Sequence, residues 1–189
     1  MSVLAEFIEN LKAFGNIERW GNSYNLYHEN DAAHSFMVAA LAHLLGSIEN
    51  NRYGANIDLG DSVLRSIYHD LPEAITGDII SGTKKKTEDM RSAAKAVEKI
   101  ASKSLLEKLP DDIKQDFEVY LLSPKDLDTA EGRVVEAADA ISAYIKAKIE
   151  GSLGNTTYRK VLGILRADCE KHIPNVRAVQ DVLEAIDEE

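Results

Sequence analysis

The chain has 189 residues, 22 Lys plus Arg against 32 Asp plus Glu, a formal net charge of -10 and 44% hydrophobic residues. That length suits one domain, since domains run roughly 100 to 200 residues and a chain of this size buries about two thirds of its unfolded surface without staples. The acidic balance argues against a binder of nucleic-acid backbones, which needs clustered Lys and Arg to displace counterions. Small anionic ligands remain open, because one or two local cations suffice for them.

Cys169 is the only cysteine, so no intramolecular disulfide and no thiolate zinc site can form, and the reducing cytosol is the expected compartment. As the end of a helix it reads as a small buried hydrophobe. Residues 1–9 carry no basic start and no apolar signal core, and the longest apolar stretch, 36–45, is half the ~20 residues a membrane span needs. No targeting segment and no membrane association are expected.

Along the chain, apolar residues recur at helical spacing. Leu4, Phe7, Ile8 and Leu11 predict the first helix; Met37, Leu41, Leu44, Leu45 and Ile48 the second; Val63, Leu64 and Ile67 the third. Ala94, Val97, Ala101 and Leu105 predict another, and a long helix over about 127–150 follows from Val134, Ala138, Ile141 and Ile145. Val161 and Leu165, then Val176, Val179, Leu183 and Ile186, complete the series. Asp31, Asp61, Thr87, Asp111 and Thr157 are candidate N-caps, and Pro174 suits a first helical turn. No stretch alternates with period two. The expectation is an all-α bundle of about eight or nine helices, a single domain over 1–189, with the helices from about 156 completing it.

Four residues have the chemistry to hold a divalent cation: His34 opening the second helix, His69 and Asp70 closing the third, and Asp139 within the long helix. Two imidazoles and two carboxylates suit Mn, Co, Fe or Zn better than Ca. They are far apart in sequence, so the site exists only if three helices converge. Taken singly, each also fits a structural role: His34 as a helix N-terminal residue, His69 and Asp70 as partners of a helix C-terminus, Asp139 as a solvated flank. Asp139, however, sits in the small-residue run Ala137-Ala138-Asp139-Ala140, beside an apolar stripe, where a carboxylate is costly unless paired or metal-bound.

The order His34, His69-Asp70, Asp139 resembles the HD-domain metal-dependent phosphohydrolases. Arg19-Trp20, Glu29-Asn30, His34-Ser35, Tyr68-His69-Asp70 with Glu73, Thr76-Gly77-Asp78, and Ala138-Asp139-Ala140 with Tyr144 resemble more closely the bacterial YfbR-like 5'-deoxynucleotidases, over about 1–150. Three features depart from the family pattern: Ala33 where a Glu often precedes the histidine, Tyr24 where an Arg often precedes Asn25, and Leu71-Pro72 between the HD pair and Glu73.

The resemblance implies a single HD domain, one divalent ion per chain (Co or Mn, with Zn, Fe or Mg as alternatives) and removal of phosphate from deoxynucleoside 5'-monophosphates by a cytoplasmic homodimer. It makes His34, His69, Asp70 and Asp139 metal ligands, Glu73 the catalytic acid/base, Asp78 a catalytic or substrate-positioning carboxylate, Arg19 a phosphate contact and Trp20 a sugar contact. Lys84, in the lysine run 84–86, is a further candidate cation for the substrate, against its alternative as solvated surface. His28 and His43 are expected to be non-ligands. Because Pro72 disfavours helix at Leu71, a break is expected there, with Pro72 opening a new turn that presents Glu73. Two rival readings stay open at this point: an HD phosphohydrolase for another nucleotide or phosphate ester, and a non-catalytic helical binding protein stapled by its metal.

Overall fold

The computed structural model describes residues 2–84 and 86–188, so Lys85 of the lysine run lies outside the described residues. These residues form α1 (Val3–Phe14), α2 (Asp31–Arg52), α3 (Leu59–Tyr68), α4 (Glu73–Thr76), α5 (Ser81–Lys84), α6 (Glu88–Glu107), α7 (Lys114–Leu122), α8 (Ala130–Ser152), α9 (Thr156–Glu170) and α10 (Ala178–Asp187). The all-α expectation holds. Eight of the ten are nine residues or longer, and α4 and α5 are single turns.

Several helices begin slightly earlier in sequence than the capping residues suggest. Asn30, not Asp31, caps α2 by accepting from the Ala33 amide at 2.9 Å, and Asp58, not Asp61, receives the Asp61 amide at 3.0 Å ahead of α3. Asn155 caps α9 in place of Thr157, while Thr87 caps α6 as expected. Ile113 precedes α7 with no side-chain cap, and Asp111 pairs instead with Lys114 at 2.9 Å. At α2, α3 and α9 the Asn or Asp ahead of the helix lends a side-chain oxygen to a first-turn amide, whereas α7 has no such cap. Asp31 is thereby released from capping.

The chain divides into two compact units. The first comprises Met1–Ser23, His28–Ser35 and Tyr68–Pro124. Its core is Phe7, Phe14, Leu71, Leu105, Leu109 and Leu121, with Phe117 packed edge-on to Phe7 at 5.9 Å and to Tyr68 at 5.6 Å between ring centroids. Leu4, Ile8 and Leu11 of the expected α1 stripe face outward, because only the Phe7–Phe14 side of α1 meets this core.

The second unit comprises Tyr24–Tyr27, Phe36–Ile67 and Lys125–Glu189. Here α2 buries Val38, Leu41, Ala42 and Leu45, at i, i+3, i+4 and i+7, and leaves Met37 and Leu44 exposed, so the buried stripe is turned by one position from the expected one. By length and composition α2 could cross a membrane, but half of its most apolar 18-residue stretch is buried inside the structure, as in a core helix. α8 is the central element, with Val134, Val135, Ala137, Ala138, Ile141 and Ala147 fully buried, and α9 and α10 pack against it. Cys169 is buried in this core, where desolvation pushes its thiol up to about 12 and makes it inert.

Lys146 and Glu150, one turn apart on α8 and both buried, form an ion pair at 2.6 Å. Glu150 also receives the amides of Leu26 and Tyr27 and the Asn155 side chain, while Lys146 donates to the Tyr27 carbonyl. Burial works against the Glu150 charge, but these hydrogen bonds outweigh it and hold the group down at about 2. The tip of the loop between α1 and α2 is fixed by this pair.

The start of α8 is equally constrained. Thr129 caps it through the Gly132 amide at 3.0 Å, and the chain entering from Asp126 passes so close that a Cβ on Gly132 would stand 2.0 Å from the Asp126 carbonyl oxygen. Gly132→Ala is therefore expected to destabilise the protein by about 2 to 3 kcal/mol, through overpacking against backbone that cannot yield. Thermal melts should show a drop of roughly 5 to 10 °C, and an unchanged midpoint would show that the Asp126 turn moves freely.

Candidate metal centre

Helix α3 stops at Tyr68, and the next four residues form tight turns in which the Leu71 amide bonds the Tyr68 carbonyl at 3.1 Å and the Glu73 amide the Asp70 carbonyl at 2.9 Å. Pro72 then precedes α4 with φ -55° and ψ -24°, so the expected break and new turn are both present. Leu71 inserts into the core of the first unit and anchors the turn. His69, Asp70 and Glu73 are thereby presented from a short rigid segment.

His34 lies in the first turn of α2, its amide bonded to the Asn30 carbonyl, and is 1% exposed. Its ring is 5.3 Å from that of His69, between centroids. His34 Nε2 and His69 Nε2 stand 3.5 and 3.2 Å from the same atom, Asp70 Oδ2. One ligand atom from each of these three residues lies within 4.8 Å of the other two. Two buried imidazoles facing one carboxylate oxygen are a donor set that fits a borderline divalent ion, and three such ligands leave coordination positions open as catalytic sites require.

The fourth expected ligand, Asp139, belongs to the second unit. It lies on α8 and accepts from Lys125 Nζ at 2.5 Å, a lysine that the sequence pattern did not single out. Lys125 also approaches Glu136 at 3.9 Å. His43 is exposed on α2, and His28 is exposed beside Glu18.

The cluster is surrounded by charge. Arg19 Nη1 donates to Asp70 Oδ2 at 2.8 Å and to Asp31 Oδ1 at 3.2 Å. Trp20, next in the chain, has φ +60°, a left-handed backbone uncommon for a bulky residue and costing on the order of 1 kcal/mol or more. Glu73 is buried, with Oε1 accepting from Lys84 Nζ at 3.1 Å and Oε2 without a hydrogen-bond partner among the described residues. Burial, then the Asp70 charge, push its carboxyl up to about 8 against the opposing pull of Lys84. Lys84 thus meets a site carboxylate directly. Asp78, in the loop after Gly77, is half-buried, and its charge helps raise both Glu73 and Asp31.

Asp31 is the residue that sequence reasoning missed in its proper role. It is 0% exposed, and burial pushes its carboxyl up to about 6, with Arg19 opposing and Asp70 adding. Its position in the first turn of α2 resembled a cap; only the antiparallel pairing of Glu18 with Asn30 sets it opposite Arg19.

The family model for YfbR-like 5'-deoxynucleotidases matches residues 6–186. The chain belongs to this family. Its relatives include a 5'-deoxynucleotidase of Photorhabdus laumondii, 34% identical over 162 residues, 86% of this chain and 82% of that one. Another, from Vibrio cholerae, is 34% identical over 154 residues, 82% and 79% of the two chains. Among solved structures, an HD-domain phosphohydrolase from Listeria innocua superposes with TM-score 0.85 at 21% identity, covering 97% of this chain and 87% of that one. The cyanophage S-2L HD phosphohydrolase, bound to dA and one catalytic Zn2+, gives 0.66 at 19% identity over 96% and 93%. Both share the fold of the family.

The raised carboxyls make the metal-free protein sensitive to alkali. Because Asp31 and Glu73 hold protons in the folded state that the unfolded chain releases above about pH 4, their contribution is complete below that pH. It is lost as pH rises through the folded values of about 6 and 8. The melting temperature of metal-free protein should therefore fall between pH 5 and 8, and Glu73→Gln should flatten the upper part of that fall. Melts that rise with pH over this range, or a Glu73→Gln protein with the wild-type slope, would contradict the assignment.

Proposed function

We propose that the protein hydrolyses deoxynucleoside 5'-monophosphates to deoxynucleoside and phosphate in a divalent-metal-dependent reaction. The observation that carries this reading is the convergence of His34, His69 and Asp70 beside a buried Glu73 in a member of this family. Curated relatives bear the name of that activity, and the phage neighbour is described with dA and a catalytic Zn2+.

In this reading His34, His69, Asp70 and Asp139 hold one ion per chain, of the Mn, Co, Fe or Zn type, with Mg an alternative. When bound, such an ion supplies positive charge for the phosphate oxygens and acidifies the attacking water. The remaining work falls to the chain. Glu73, buried three residues from Asp70, serves as the acid/base: it gives a proton to the departing 5' oxygen as the phosphorus–oxygen bond breaks, and the proton shed by the water that adds to phosphorus restores it. Asp78 contributes to the same proton balance and positions the substrate, Lys84 offers a second cation to it, and Arg19 grips phosphate oxygens with its planar fork. Trp20, set on a left-handed backbone, walls the sugar and leaves no partner for a 2'-hydroxyl. The whole chain acts as one HD domain, in a cytoplasmic homodimer.

Release of inorganic phosphate from a panel of deoxy- and ribonucleotides, with each divalent metal in turn, tests the function. Chelation should abolish turnover, and deoxy substrates should be preferred by roughly 10² in kcat/KM, the limit for an apolar wall rejecting an added hydroxyl. Equal efficiency on the matching ribonucleotide would replace this reading with that of a broader HD phosphohydrolase; release of triphosphate from a nucleoside triphosphate would do the same.

Glu73→Gln keeps size but carries no transferable proton, so substrate should still bind while turnover falls by roughly 10² to 10⁴. Asp139→Ala should lower metal content and activity together. Near wild-type kcat in the first variant would move the proton transfer to Asp78, and full metal occupancy in an active form of the second would remove Asp139 from the ligand set.

A further inference from the structure

Arg19 and the cluster share an oxygen. Asp70 Oδ2 accepts from Arg19 Nη1 at 2.8 Å, and the same oxygen faces both imidazole nitrogens, at 3.5 and 3.2 Å. A cation held by His34, His69 and Asp70 must draw on that carboxylate, so Arg19 and the metal compete for it. An arginine left to pair with Asp70 alone would oppose metal binding. One displaced without another anchor would lose its place beside the phosphate.

Asp31 supplies the anchor. Its Oδ1 is 3.2 Å from the same Arg19 nitrogen, and its Oδ2 is buried and has no hydrogen-bond partner among the described residues. The pairing is built by the backbone: the Arg19 amide donates to the Glu29 carbonyl at 3.0 Å, the Asp31 amide to the Ile17 carbonyl at 3.1 Å, and Glu18 bridges Asn30. Residues 19 and 31 are therefore held in register across the neck of one loop. Glu29 adds a longer contact to Arg19 Nε at 3.6 Å. A wholly buried carboxylate with an oxygen to spare is expensive to keep. Here its other oxygen already faces the guanidinium, at 3.2 Å.

We propose that Asp31 is the positioning residue for Arg19, retaining the guanidinium when Asp70 is given over to a divalent cation. Arg19 then remains beside the centre as a phosphate contact instead of contending for a ligand oxygen. The inference deepens the function proposed above and rests on its view of Arg19.

The test is a double-mutant cycle of Asp31→Asn and Arg19→Met, read in two ways: manganese affinity by calorimetry on metal-free protein, and KM against kcat for deoxyadenosine 5'-monophosphate. Asp31→Asn should weaken manganese binding about tenfold, as loss of an outer partner of a ligand does. It should raise KM by a similar factor while kcat changes less than about twofold, the signature of lost binding common to ground and transition states. In the Arg19→Met background, the same Asp31→Asn change should do neither. Equal losses in both backgrounds would make Asp31 a structural residue only, and no loss in either would remove it from the site. If Asp31→Asn fails to fold, the double variant, which leaves no buried charge unpaired, should recover the fold; continued failure would overturn the pairing. If the wild type does not turn over the mononucleotide, the proposed function falls, and the manganese cycle alone still decides the role of Asp31.

Discussion

One carboxylate oxygen organises the centre. Asp70 Oδ2 is within 3.5 Å of two imidazoles and a guanidinium that come from separate parts of the first unit. These three groups gather there because the carboxylate is held from behind. The turn after α3 is pinned by Leu71 in the core and by a proline that forbids the helix from running on. Were α3 to continue as a regular helix through Leu71, Asp70 and Glu73 would rotate with it, and the constellation would depend on a segment free to fray. Pro72, a departure from the family pattern, stands at that break.

The electrostatics follow from crowding. Asp31, Asp70, Glu73 and Asp78 bring four carboxyls into one neighbourhood, answered by Arg19 and Lys84. Desolvation adds to their mutual repulsion, and the outcome is protons retained on Asp31 and Glu73 well above the ordinary carboxyl range. Such a site stores destabilisation in the metal-free fold. A dication bound there would relieve it and lower these carboxyls, so that stability would be coupled to metal binding.

In the second unit the buried charges do the opposite work. Lys146 and Glu150 satisfy each other and the otherwise unpaired amides and carbonyl at Tyr24–Tyr27, with Asn155 and Tyr158 completing the set. Removing either charge would leave the other buried and alone, which is far costlier than removing both. A loop rich in polar backbone and lacking regular structure is ordered by this network. Departure from the family at Tyr24 falls on this segment, where the backbone carbonyl, rather than the side chain, makes the contact with Asn155.

The sequence by itself determined the helical class, the break at Pro72 and the buried character of Cys169, because period and proline geometry are local properties, and through its resemblance to a family it nominated His34, His69 and Asp70. Leu71 was legible as part of that break, though not as the plug that fixes it. What only the tertiary structure decided were matters of partnership. The buried face of α2 turned on which neighbours cover Val38 and Ala42, and periodicity with apolar residues on several sides leaves that rotation open. Lys84 reached Glu73 and Lys125 reached Asp139 across 11 and 14 residues of chain. Asp31 passed for a helix cap until the pairing of Glu18 with Asn30 set its carboxylate against Arg19. A residue's type and spacing fix what it can do; which charge it meets in the interior depends on loop closures whose register no local pattern carries.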